Sequence, residues 1–95
     1  MFLDADKATF PILCRTWNSA DRFRPLGMRK GEKKLSDFFI DEKLDRHQKE
    51  NLPIFISKNK IVALLGMRPD DRYKITPRTK MVMEIRLSLT SDKTE

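Results

Sequence analysis

Seven of the chain's twenty Lys and Arg residues fall between residues 15 and 34: Arg15, Arg22, Arg24, Arg29, Lys30, Lys33 and Lys34. Only Asp21 and Glu32 oppose them, so this stretch carries +5 of the formal +6 of the 95-residue chain. A charge run is ordinarily a solvated face, but two details argue for an anionic ligand. Lys33 and Lys34 stand just before Ser36, the expected N-cap of a helix. Cations at a helix N-terminus are unfavourable by roughly a few tenths of a kcal/mol each. A phosphate landing there would be held by free backbone N–H groups, the helix dipole and both ammonium groups, unless Asp37 and Glu32 already neutralise the lysines. Gly27 and Gly31 also let the backbone approach a ligand closely. Trp17, Phe23 and Tyr73 are interleaved and could stack on unpaired bases. Core packing is the expectation for Phe23, and both readings stay open for Trp17.

Catalytic groups are few. His47 is the only histidine, set among Asp45, Arg46, Gln48 and Lys49, and is expected in solvent because no second His or Cys offers itself as a co-ligand. Asp37 and Asp41 are four apart and could share a helix face as a metal or acid–base pair. More simply, Asp37 is a favourable first-turn acid and Asp41 a partner for a nearby Lys or Arg. Asp70 and Asp71 follow Pro69 and read as turn residues. Cys14 lies in the apolar run Phe10 to Cys14, where a buried inert thiol is expected; one cysteine excludes a disulfide framework and a Cys-rich zinc site. No Gly-Lys-Ser/Thr phosphate loop or nucleophile elbow is present. No catalytic residue and no metal site is assigned.

The elements that must position these residues follow from pattern. Thr9 to Trp17 reads as a strand, with Pro11 placing it at an edge or near a strand start. Asn18 to Glu32 has no sustained period and reads as a long basic loop. Ser36 is expected to cap a helix to about Leu44, with Leu35, Phe38 and Phe39 as its apolar face and Ile40 and Leu44 widening it. Asp45 and Gln48 resemble a capping box opening a second short helix to about Asn51. Leu52 to Ile56 and Ile61 to Leu65 form a hairpin around Ser57-Lys58-Asn59-Lys60, which puts Lys58 and Lys60 outside both basic stretches. Its second strand is apolar on both faces, so each must be covered. Gly66 to Thr79 is a second irregular basic stretch, with Arg68, Arg72, Lys74 and Arg78 against Asp70 and Asp71; Thr76-Pro77 could open one helical turn. Met81, Met83, Ile85, Leu87 and Leu89 alternate with polar neighbours as a half-buried strand, and residues 90–95 read as a frayed tail. The order points to an α+β domain: a small, mostly antiparallel sheet or sandwich with one or two short helices. No apolar run approaches the roughly 20 residues needed to cross a bilayer. The N-terminus lacks signal-peptide features, so a cytoplasmic fragment of a longer chain, without a membrane partner, is expected.

Several runs together carry a family likeness. They are Asp4-Ala5-Asp6-Lys7, Phe10-Pro11, Arg15-Thr16-Trp17 and Asp21-Arg22-Phe23-Arg24-Pro25-Leu26-Gly27-Met28, then Lys33-Lys34-Leu35-Ser36-Asp37-Phe38-Phe39-Ile40-Asp41-Glu42-Lys43. Ile61, Gly66-Met67-Arg68, Asp71-Arg72-Tyr73-Lys74-Ile75-Thr76 and Thr79-Lys80 complete them. From about Leu3 to Leu87 the chain resembles the C-terminal domain of bacterial tRNA(Ile)-lysidine synthetase. The resemblance implies a fold shared with a domain of the phenylalanyl-tRNA synthetase β chain. It also implies a parent enzyme that uses ATP to attach lysine to the anticodon cytidine of an isoleucine tRNA, so that AUA is read correctly. That catalysis belongs to an N-terminal domain with a Ser-Gly-Gly-x-Asp-Ser loop, which is absent here; ATP, Mg and lysine would be used there, and no cofactor is expected in this domain. Residues 1–95 are then a single substrate-tRNA-binding domain gripping the acceptor-stem side. Its partners would be tRNA(Ile) and its own N-terminal domain, with a homodimer left open. The family usually has Gly where this chain has Ala20, which would be strained if that position needs φ > 0.

A-form stems are recognised through shape, 2′-OH and phosphate contacts, which calls for scattered Arg and Lys. The expected contacts are Arg22, Arg24, Lys33 and Lys34 from the first basic stretch and Arg68, Arg72 and Lys74 from the second. Arg15, on a strand, can serve the fold instead. Two other classes remain: a protein-docking or dimerisation module whose charges only solvate it, and a small metal-dependent nuclease built on Asp37 and Asp41.

Overall fold

In the computed structural model, which describes residues 1–86, the chain runs β1 (Phe2–Asp4), β2 (Ile12–Arg15), β3 (Arg22–Phe23), β4 (Lys33–Lys34), α1 (Leu35–Asp41) and α2 (Arg46–Glu50). It continues through β5 (Ile54–Ser57), β6 (Lys60–Leu64), β7 (Arg68–Pro69), a 3-10 turn (Asp71–Tyr73) and β8 (Val82–Glu84). Leu87 and Leu89, expected in the last strand, and the 90–95 tail lie outside the described residues. Among the described residues every strand pairing is antiparallel. The main sheet has the order β2-β5-β6-β7, while β1 pairs with β8 and β3 with β4 in two-stranded ribbons. This is the small α+β architecture that the pattern predicts.

The strand that is apolar on both faces is β6, and both faces are covered. Register passes from Phe55 opposite Ala63 to Ile56 opposite Ile61, which leaves Val62 as an extra residue. Such a bulge puts two successive side chains on one side of the sheet. Accordingly Ile61 and Leu64 join one core cluster with Phe23, Leu35, Phe38, Phe39, Ile54 and Ile56, while Val62 and Ala63 join Leu3, Ala8 and Met83 in the other. Helix α1 thus packs on one face of the sheet and the β1–β8 ribbon on the other. Phe23 and Phe38 meet edge to face at 5.1 Å, as do Trp17 and Phe39, each such pair adding about 0.5–1.5 kcal/mol beyond burial. Phe23 is core as expected. Trp17 packs partly buried against it, with the Lys49 ammonium 5.7 Å from its ring centroid.

Several local expectations are met and others are corrected. The Asp45 capping box is present on both sides: Gln48 N–H donates to the Asp45 carboxylate and Asp45 N–H to the Gln48 side chain. The β5–β6 turn is tighter than the four-residue link expected, because Lys58 and Asn59 both adopt positive φ, 48° and 66°, as a two-residue type I′ turn requires. Ser36 is not the N-cap of α1. Lys34 holds that position without a side-chain hydrogen bond, and Ser36 lies inside the first turn, because ribbon pairing keeps residues 33–34 extended up to the helix. The helix stops at Asp41 rather than Leu44: Lys43 turns left-handed at φ 58°, its N–H donates to Ile40 O and that of Leu44 to Phe39 O, a Schellman closure with Leu44 folded back on the core. Ile40 is 70% exposed and does not widen the apolar face. Met81, just before β8, is likewise exposed.

Cys14 is exposed rather than buried. Strand β2 is an edge of the main sheet, and only Ile12 from its apolar run packs against a core cluster; Phe10 and Leu13 stay in solvent. The 18–32 loop is not structureless either, since β3 and the isolated bridge between Pro25 and Asp70 lie within it.

Candidate nucleic-acid interface

The two basic stretches, some forty residues apart in sequence, are hydrogen-bonded into one surface, and Asp70 is the residue that joins them. Its carboxylate is fully buried. It accepts from Arg24 N–H (2.8 Å) and Arg72 N–H (2.9 Å) in the backbone, and from Arg72 Nε (3.0 Å) and Nη2 (2.9 Å). Asp71 continues the seam: its N–H donates to Arg24 O at 2.7 Å and its carboxylate accepts from Gly27 N–H at 3.0 Å. Leu26 N–H donates to Pro69 O. Gly27 has φ +100°, a backbone region closed to side chains, and its N–H is directed to Asp71 rather than to a ligand. The hydrogen bond from Gly27, seconded by the Lys74 ammonium at 3.2 Å, holds the Asp71 carboxyl below the ordinary range. Reading Asp70 and Asp71 as turn residues captured the cap that Asp70 gives the 3-10 turn, but nothing in the sequence marked its reach to residue 24.

The expected contact residues separate into two kinds. Arg72 is held: besides Asp70 it pairs with Glu32 at 3.0 Å, and these carboxylates raise its pKa above the ordinary value. Arg24 Nε donates to Gly31 O, closing its own loop. Lys74 rests on Asp71. Arg68 stacks 5.9 Å from the Phe38 ring centroid and reaches Glu42 at 3.6 Å, on the α1 side. Arg15, suspected of serving the fold, makes a two-point ion pair with Asp21, both contacts 2.8 Å. That hydrogen bonding lowers the Asp21 pKa.

Arg22 and Lys34 are different. They lie directly opposite each other on the β3–β4 ribbon, both exposed, and neither has an acidic partner within 4 Å among the described residues. Side chains directly opposite share a face with Cβ atoms about 5 Å apart, and like charges there are destabilising. Lys33, its sequence neighbour, points the other way, opposite the buried Phe23, and its ammonium is engaged by Asp41. Strand period therefore divides the two lysines that the sequence had treated as one clamp. The N–H of Leu35, at the start of α1, is already given to Asp21 O. Ala20 is not among the described residues with positive φ, so its side chain brings no strain.

The TilS substrate C-terminal domain family matches residues 12–88. This chain belongs to that family. It is 46% identical to the tRNA(Ile)-lysidine synthase of Parabacteroides distasonis over 82 residues, covering 86% of the chain and 18% of that protein. It is 39% identical to the enzyme of the same name from Caldanaerobacter subterraneus over 84 residues, 88% of the chain and again 18% of the relative. The chain thus spans 18% of the length of these curated relatives. Its fold is that of a crystal structure of the TilS C-terminal domain, with TM-score 0.70 at 24% identity over 85% of this chain and 62% of that one. It is also that of an N-terminal fragment of the phenylalanyl-tRNA synthetase β-subunit from Pyrococcus horikoshii, with TM-score 0.68 at 23% identity over 86% of this chain and 26% of that one. Among the described residues no helix is long and apolar enough to cross a membrane.

Proposed function

We propose that this TilS C-terminal domain binds tRNA(Ile) through its joined basic loops, on the acceptor-stem side, and leaves chemistry to the rest of its enzyme. The parent is then the ligase that uses ATP to attach lysine to the anticodon cytidine. ATP, Mg and lysine are assigned to its N-terminal catalytic domain, the covalent partner of this one. The observation that carries the reading is the Arg22–Lys34 pair: two exposed cations opposed across a ribbon with no acid beside them. Such a pair weakens the ribbon on its own and is relieved by an anion. A phosphate backbone supplies anions at regular spacing, and the A-form stem presents them without requiring a base-reading helix. In this reading Arg22 and Lys34 face RNA, while Lys74, Arg68 and Lys33, each resting on an acid, stand at the margin. Arg24 and Arg72 act mainly by holding the loops. A nuclease centred on Asp37 and Asp41 is disfavoured because the Asp41 carboxylate already engages Lys33.

A second reading rests on the β2 edge. Phe10 is 74% and Leu13 59% exposed, which suits docking onto the catalytic part or a second copy. Salt separates the two. Engaging ~4–6 phosphates, the chain binds folded tRNA with a log–log salt slope of minus several, and prefers it to single-stranded RNA of equal length. Fluorescence anisotropy across a salt series measures both. A flat salt response, or equal affinity for the two RNAs, overturns the RNA reading in favour of docking.

A further inference from the structure

We propose that the cleft between β3 and the β5–β6 turn is a socket for a single RNA phosphate, gripped by Arg22 on one side and Lys60 on the other. The inference rests on the tRNA-binding reading and adds to it a residue that lies outside both basic stretches. Three distant segments converge on the cleft, bringing together Arg15, Asp21, Arg22, Glu32, Lys60 and Arg72 around about 280 Å³. Its two acids are both spent: Asp21 on Arg15 at 2.8 Å and Glu32 on Arg72 at 3.0 Å. Arg22 and Lys60 remain as exposed cations with no acidic partner among the described residues. The interior is therefore neutralised while the rim stays positive, an arrangement that accepts one anion and repels further cations. The volume lies just below the roughly 300–1,000 Å³ of pockets for whole small molecules. It suits a phosphate with part of its ribose rather than a nucleotide cofactor.

The tight turn builds this rim. Lys58 and Asn59 occupy the two left-handed positions, so Lys60 re-enters the sheet as the first residue of β6, opposite Ser57. Lys60 lines the cleft and Lys58 does not. The two lysines, equivalent in the sequence, are therefore predicted to differ in function.

Anisotropy titration of the chain with tRNA(Ile) over a salt series tests this. Lys60→Ala should lower the magnitude of the salt slope by about one, the signature of one lost phosphate contact. Lys60→Glu should lose more than about tenfold in affinity, because an attractive contact becomes repulsive. Lys58→Glu makes the same change in net charge two residues away and should lose less than about threefold at ionic strengths where exposed charges are screened. Melting temperatures of the three variants should stay near wild type, since both side chains are exposed. Repeating the titration with tRNA lacking its 5′-phosphate identifies the occupant: Lys60 dependence that persists assigns an internal phosphodiester, and dependence that vanishes assigns the terminal phosphate. Equal losses for Lys58→Glu and Lys60→Glu, or an unchanged slope for Lys60→Ala, overturn the socket alone. A wild-type chain without salt-dependent tRNA binding overturns the RNA reading and the socket with it.

Discussion

Replacing Asp70 by Ala should do more damage than any other single change on the basic surface, and with a sign that charge counting gets wrong. The carboxylate accepts four hydrogen bonds, two from backbone N–H groups of residues 24 and 72 and two from the Arg72 guanidinium, at 2.8 to 3.0 Å. Removing it leaves the two N–H groups without acceptors in a site closed to water, and leaves Arg72 with only the exposed Glu32. With each buried N–H left unpaired costing about 1–3 kcal/mol and the lost bonds to the half-buried Arg72 guanidinium adding to it, the change should cost about 3–5 kcal/mol. A chain of this length has a total stability of roughly 5–14 kcal/mol. The melting temperature should therefore fall by at least about 12 °C. Asp70→Asn keeps one acceptor oxygen and should cost less, about 2–3 kcal/mol. Glu32→Ala, breaking an exposed pair, should cost under about 1 kcal/mol. Urea unfolding of the three variants gives the ranking directly. The functional readout is tRNA affinity for Asp70→Asn at a temperature where it remains folded. Losing an acid raises the net charge by one, so bulk electrostatics predicts tighter binding, whereas release of the 24–31 loop predicts weaker binding. A loss for Asp70→Ala no larger than for Glu32→Ala, or tighter tRNA binding by folded Asp70→Asn, would refute the idea that this carboxylate holds the two loops together.

Two further outcomes follow from the same geometry. Lys34→Glu turns the cross-strand cation pair with Arg22 into an opposite-charge pair, so stability should rise by about 0.2–1 kcal/mol while tRNA affinity falls. Lys58→Glu, on the β5–β6 turn and outside both basic stretches, is the charge-matched control, and stability and affinity moving in the same direction for Lys34→Glu would count against the assignment. In acid, Asp21 and Asp71 have folded pKa values below the ordinary carboxylate range, through the hydrogen bonds from Arg15 and from Gly27 N–H respectively. The unfolded chain binds their protons first, so their contribution is complete above the unfolded values and is lost as pH falls through the folded ones. Melting temperature should hold down to about pH 4 and decline below it, with a shallower decline in Asp21→Asn.

What the sequence determined by itself was the local pattern that tertiary pairing left undisturbed. The capping box at Asp45 and Gln48, the apolar face Leu35, Phe38 and Phe39, and the two-sided strand Ile61 to Leu64 are set by neighbours within a few residues, and all three stand in the structure. So was the excess of cations, and so were the runs that carry the family likeness. Tertiary structure alone decided which cations are free. Arg22, Arg24, Lys33, Lys34, Arg68, Arg72 and Lys74 look alike in a sequence, because an ion pair depends on what the fold places opposite each side chain. Lys33 and Lys34 parted company because ribbon pairing with β3 set them on alternate faces. Ser36 lost its capping role to the same pairing, and Cys14 was left in solvent because β2 became a sheet edge. Asp70 showed locally only as a turn residue, and Lys60 not at all. A carboxylate gathering a hydrogen bond from residue 24, and a β6 lysine lining one cleft with Arg22, are long-range encounters fixed only when the chain closes on itself.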